Sequence, residues 1–91
     1  MDATDRPTRR PHLEITAAED GYIVYDPTTD RVHHLNPTAA VILELCDGTR
    51  TDTDIAADVQ SAYRLEQPPT RQVQSCLDDL RRESLVGGAD S

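Results

Sequence analysis

The sequence predicts an α+β domain, a three-stranded antiparallel sheet followed by three helices, on three observations. Two apolar runs, Tyr22-Ile23-Val24-Tyr25 and Val32-His33-His34-Leu35, flank Asp26-Pro27-Thr28-Thr29-Asp30, a cluster that favours turns over regular structure. The second run meets Asn36-Pro37 and then the apolar stretch TAAVILELC over 38–46, so a strand hands over directly to a helix. Two further stretches with apolar residues at helical spacing follow, separated by Pro68-Pro69.

Residues 1–11 hold three Arg, two Asp and two Pro without periodicity, the pattern of a flexible tail. The segment HLEIT over 12–16 alternates and predicts a first strand. Asp20-Gly21 is a turn dipeptide leading into the second strand at Tyr22, and Val32–Leu35 belongs to the third. Three strands joined by short turns form a meander, with the first and third as edges.

Asn36 can cap the first helix through its side chain, and Pro37 sits where a missing N–H costs nothing. Gly48 can take the left-handed conformation that ends helices. Thr51 followed by Asp54 resembles a capping arrangement for a second helix over 52–63, whose buried face would be Ile55, Val59, Ala62 and Tyr63. Thr70 can cap a third helix over 71–84, with Val73, Cys76, Leu77 and Leu80 on one side and Leu85 and Val86 ending the apolar run. Gly87-Gly88 stops it, leaving 87–91 as a C-terminal tail and 12–86 as the domain. Helices covering one face of a sheet give an arrangement of the winged-helix kind, with the sheet placed first.

Composition narrows the function. The 91 residues include nine Arg, no Lys and 17 acidic residues, for a net charge of −8. Nucleic-acid binding rests on neutralising phosphates with basic side chains, so this balance opposes a winged-helix DNA-binding regulator, the alternative that three helices beside a small sheet would suggest. With no Phe or Trp and three Tyr, the core must be aliphatic. No apolar run is long enough to span a bilayer and the polar N-terminus lacks a signal-peptide core, so the expectation is a cytoplasmic protein with no membrane partner.

Chemistry-bearing motifs are sparse. His33 and His34 are neighbours on a strand and point to opposite faces, which argues against a shared metal ion. Cys46 and Cys76 fall at apolar helix positions and read as small buried hydrophobes. No phosphate-binding glycine motif is present, so no catalytic residue, metal or cofactor is expected. The third strand says more, because it is an edge without Lys or Pro between Arg31 and Leu35. Native proteins usually protect such an edge. An unprotected one is either covered by the chain itself or left free for another chain to pair with.

Tyr25-Asp26-Pro27, Val32-His33-His34-Leu35-Asn36-Pro37-Thr38-Ala39-Ala40 and Glu44-Leu45-Cys46-Asp47-Gly48-Thr49-Arg50-Thr51, with Ile55-Ala56, Tyr63 and the stretch from Leu77 to Val86, resemble the PqqD family, also called RiPP recognition elements. The resemblance covers roughly residues 12–86. It implies a module that binds the leader segment of a ribosomally synthesised precursor peptide by strand addition and presents it to a modifying enzyme, such as a radical SAM protein or a peptidase. The implied docking strand is Arg31, Val32, His33, His34 and Leu35. The third helix must supply the other wall, from one of two flanks: Gln74, Leu77 and Arg81, or Gln72, Cys76 and Glu83. The first is favoured, because Arg81 would meet leader carboxylates and an exposed Leu77 would receive an apolar leader side chain.

Overall fold

The computed structural model describes residues 6–87. A two-residue strand β1 (Thr8–Arg9) precedes β2 (Glu14–Ala18), β3 (Gly21–Asp26) and β4 (Arg31–Leu35); α1 (Pro37–Leu45), α2 (Asp52–Tyr63) and α3 (Thr70–Arg82) follow, and β5 (Val86–Gly87) ends the described chain. β2, β3 and β4 form the expected antiparallel meander with β3 central. One strand pair was not foreseen: β1 pairs with β5 and ties the two ends of the domain together. Pro7 is fully buried, and the backbone N–H groups of Arg9 and Arg10 donate to the carbonyls of Cys46 and Leu85 at 2.8 and 3.0 Å. The expected tail over 1–11 is therefore corrected at residues 7–10, which belong to the fold, as does Gly87; residues 1–5 and 88–91 lie outside the described residues.

Cross-strand partners share a face of the sheet. Ile15, Val24 and His33 form one row, and Ala17, Tyr22 and Leu35 the next, on the side facing the helices. Val24 is fully buried there with Ile42, Leu43, Cys46, Ile55, Val59, Val73, Leu77, Leu80, Leu85 and Val86. The opposite face carries Thr16, Ile23 and His34 in one row and Glu14, Tyr25 and Val32 in another.

The first strand begins at Glu14 rather than His12, because Pro11-His12 forms a turn and His12 Nε2 lies 3.2 Å from Asp26 Oδ1. The β2–β3 connection is the pair Glu19-Asp20. Gly21 is the first residue of β3, at φ 140°, and a Cβ there would meet the Leu35 carbonyl oxygen at 1.8 Å. In the β3–β4 turn, Asp26 Oδ1 accepts from the backbone N–H and hydroxyl of Thr28 at 2.9 and 2.6 Å, so a buried carboxylate organises the loop.

Asn36 Oδ1 accepts from Ala39 N at 2.8 Å and Pro37 is the first residue of α1, as the sequence implied. Thr51 and Asp54 make a reciprocal capping box at α2. The buried face of α2 is Ile55, Ala56 and Val59; the expected Ala62 and Tyr63 are exposed, Tyr63 at 44%. Thr70 is inside α3 rather than its cap, since Pro69 precedes it without a side-chain bond. α3 ends at Arg82, where Ser84 turns left-handed at φ 62°. Leu85 N then donates to Leu80 O and Ser84 N to Arg81 O, the paired bonds of a Schellman motif, and Val86 departs into β5. α2 ends the same way through Arg64, at φ 54°, and Leu65.

Between α1 and α2, Asp47 Oδ1 accepts from Thr49 N at 2.9 Å and Thr49 Oγ1 at 2.6 Å, while Arg50 bridges Asp47 and Asp58. Gly48, at φ 83°, comes three residues after the end of α1 and donates its N–H to Pro7 O at 3.2 Å. It serves this turn and the N-terminal seam instead of closing α1.

Two stability predictions follow from this packing. Leu43→Ala and Leu80→Ala, at residues 0% and 3% exposed, should each cost about 2–5 kcal/mol in denaturant unfolding; a cost under about 1 kcal/mol at both would contradict the assigned core. The Thr49 hydroxyl and backbone N–H, helped by Arg50, hold the Asp47 carboxyl down at about 2 against an ordinary 3.8. A lowered folded value means its contribution is complete above the ordinary value and is lost as pH falls towards and through the folded one. Unfolding midpoints measured from about pH 5 down to about pH 2 should therefore fall less steeply in Asp47→Asn than in the parent; equal slopes would contradict that assignment.

Candidate functional site

Among the described residues β4 is an edge strand with β3 on one side only, and its exposed residues are Arg31, Val32 and His34, Val32 at 58%. The register fixes which backbone groups face outward. A two-residue connection closes on a pair that exchanges both N–H···O bonds, so Ala18 and Gly21 are such a pair and the alternation continues through Thr16–Ile23 and Glu14–Tyr25. Tyr22, Val24 and Asp26 then point their backbone groups to β4, where their partners are Leu35, His33 and Arg31. Val32 and His34 are left with N–H and C=O directed away from the sheet.

Beside this edge lies a groove of about 610 Å³ whose far wall is α3. β4 and α1 contribute His34, Leu35, Thr38 and Ala39; α3 contributes Gln72, Ser75, Cys76 and Asp79. The helix side chains recur at three- and four-residue spacing, which places them on one face. Glu83, one turn beyond Asp79, brings Oε1 to 3.7 Å from His33 Nδ1. His33 is directed inward with its side chain 12% exposed, and its Nε2 is buried without a hydrogen-bond partner among the described residues.

The favoured flank of α3 is corrected. Leu77 is 0% exposed and belongs to the core. Gln74 Nε2 donates to Asp52 Oδ2 at 2.7 Å, and Arg81 Nη2 lies 3.6 Å from Asp52 Oδ1, so both turn toward α2. The flank with Gln72, Cys76 and Glu83 is the one that faces β4. The sequence reading passed over Thr38, Ala39, Ser75 and Asp79. Asp52 was the available signal, since an acid in the first turn of α2 can hold Gln74 and Arg81, two helical turns apart on α3, and so fix its rotation.

His33 and His34 point to opposite faces, as expected for strand neighbours. Among the described residues there is no cluster of three metal-ligating side chains. Burial pushes the Cys46 thiol up to about 12 and the Cys76 thiol up to about 11, and both cysteines are free. Almost no thiolate is present at neutral pH, the opposite of an activated nucleophile. No described helix is long and apolar enough to cross a membrane.

A family model described as coenzyme PQQ synthesis protein D (PqqD) matches residues 21–86. The chain belongs to the PqqD family. The family match spans the meander from β3 onward, the three helices and the first residue of β5. Among solved structures, the chain is similar to one titled "Lasso peptide synthetase B1 complexed with the leader peptide", at 20% identity and a TM-score of 0.73, over 90% of this chain and 98% of that one. At that identity the likeness establishes the fold, an α+β arrangement shared over nearly the whole chain. No curated protein matches.

Thiol chemistry tests the placement of α3. Cys76 lines the groove and is half-buried, whereas Cys46 is fully buried and directs Sγ to Ile42 O at 3.1 Å. Iodoacetamide at neutral pH should label both slowly, Cys76 ahead of Cys46, with the two rates converging in denaturant. Faster labelling of Cys46 in the folded protein would contradict the assigned helix face.

Proposed function

We propose that this PqqD-family protein binds the leader segment of a ribosomally synthesised precursor peptide by adding it as a strand to β4, and presents it to a modifying enzyme such as a radical SAM protein or a peptidase. The observation that carries this reading is the open β4 edge, with Val32 and His34 offering unpaired backbone groups at the lip of a groove against α3. An extended peptide gains main-chain hydrogen bonds there, and alternate side chains enter the groove, where specificity arises. The docking residues are Val32 and His34 through their backbones, with Arg31, His33 and Leu35 holding the strand in register.

The wall opposite β4 is Gln72, Ser75, Cys76 and Asp79, with Glu83 beyond them. Leader side chains directed inward meet hydroxyl, amide, thiol and carboxylate groups there. Arg81 is committed to Asp52 and takes no part in reading the leader. The protein itself catalyses nothing: it supplies a strand edge, and the chemistry belongs to the enzyme that receives the complex. Precursor and modifying enzyme are expected from genes adjoining its own.

Proline substitution tests the docking edge by parity, because proline deletes one backbone N–H. Val32→Pro and His34→Pro remove outward donors, so both should stay folded by circular dichroism and bind leader peptide at least tenfold more weakly. His33→Pro removes a donor to β3 and should destabilise the fold. If Val32→Pro and His34→Pro bind the leader as tightly as the parent, docking at this edge is wrong. Leader binding should also slow alkylation of Cys76, and Arg81→Ala should leave leader affinity within about twofold once the fold is intact.

A further inference from the structure

The sheet has a second open edge. Among the described residues β2 pairs only with β3, and the alternation that directs Val32 and His34 outward on one side directs Ile15 and Ala17 outward on the other. Like β4, β2 carries no Lys and no Pro between Glu14 and Ala18, and its last two side chains are methyl groups that shield nothing. Among the described residues, no backbone hydrogen bond reaches its free side. A bare edge of this kind is a template for another strand.

We infer that this edge pairs with the same edge of a second copy, joining two three-stranded sheets into one of six strands. Ile15 and Ala17 must exchange hydrogen bonds with outward groups of the partner strand. A two-fold axis at Thr16 sets Ile15 against Ala17 of the partner subunit, and it is the antiparallel register that pairs all five residues of β2. It sets Glu14 opposite an alanine rather than another carboxylate, and Thr16 opposite the same threonine, so no like charges face each other directly. A register centred on Ala17 would instead oppose Glu14 to Asp20.

Charge supports the same symmetry. The β2–β3 turn carries Glu19 and Asp20, while the chain entering β2 carries Arg9, Arg10 and His12. In the Thr16-centred register the acidic turn of each copy lies against the basic corner of the other. In a protein of net charge −8, that corner is a local exception. Arg9 is already 3.5 Å from Glu44 and His12 is bound to Asp26, which leaves Arg10 as the cation without a carboxylate partner among the described residues. The concave surface beside β2, about 670 Å³ and lined by Arg10, Leu13, Ile15, Ala17 and Tyr22, lies on the same face in both copies. Pairing sets the two hollows side by side across the axis. The β4 edges remain at the outer ends, so self-pairing at β2 and peptide docking at β4 do not compete.

Sedimentation equilibrium of the full chain over a wide concentration range tests this. The parent should approach twice the chain mass at high concentration. Ala17→Pro deletes an outward N–H while sparing the bonds to β3, and should restore the single-chain mass with leader binding at β4 unchanged. Arg10→Glu and Asp20→Arg should each shift the equilibrium toward single chains at least tenfold, and the double variant should recover the parent's association. A parent that stays single at every concentration overturns the inference. So does a dimer that survives Ala17→Pro or is abolished by Val32→Pro, because the pairing edge would then be β4. Leader binding is titrated separately on the same variants, so a failure of self-pairing at β2 is distinguishable from a failure of docking at β4.

Discussion

The junction between β4 and α1 is the constraint on which the candidate site depends. Asn36 stops the strand by capping the helix through Ala39 N, and Pro37 commits the next residue to helical φ. No loop intervenes, so the direction of β4 sets that of α1, and α1 in turn sets where α3 can pack. Gly21 completes the joint from below. With no Cβ, it lets the start of β3 lie against the Leu35 carbonyl, which any other residue would push away. The open edge and the groove beside it follow from this rigid corner.

A second constraint is the two-residue β2–β3 turn. A connection that short permits one hydrogen-bonding phase, which propagates across β3 and determines that Val32 and His34, not His33, present their backbone outward. His33 is thereby assigned a structural part, its ring inside the domain near Glu83 and its backbone paired to β3. Side-chain chemistry adds little to this site. Its capacity lies in peptide groups that, among the described residues, have no partner and are held straight by the strand behind them, a geometry that matches an extended chain.

Much of the fold was legible in the sequence, because its signals are local. The Asn36-Pro37 start, the Thr51–Asp54 capping box and the meander each lie within a few residues and act through one or two hydrogen bonds. Most of what was not legible depends on distant parts of the chain. Thr8–Arg9 has no strand signature of its own and is a strand only because Val86–Gly87 lies beside it. The Schellman ends at Arg64 and Ser84 carry no glycine to announce them. The lack of protection on β4 left open whether the chain itself covers that edge or another chain pairs with it, and the flank of α3 that faces it could not be read. That rotation is settled by Asp52 on another helix, which draws Gln74 and Arg81 away from the groove.

Residue-resolved amide hydrogen exchange, with and without leader peptide, is the most direct test of strand addition at β4. The N–H groups of Val32 and His34 should exchange fast in the free protein and become protected when the leader binds. Those of Arg31, His33 and Leu35, already bonded to β3, should change little. Protection that appears without this alternation, or at Ile15 and Ala17 while Val32 and His34 stay fast, would contradict the account.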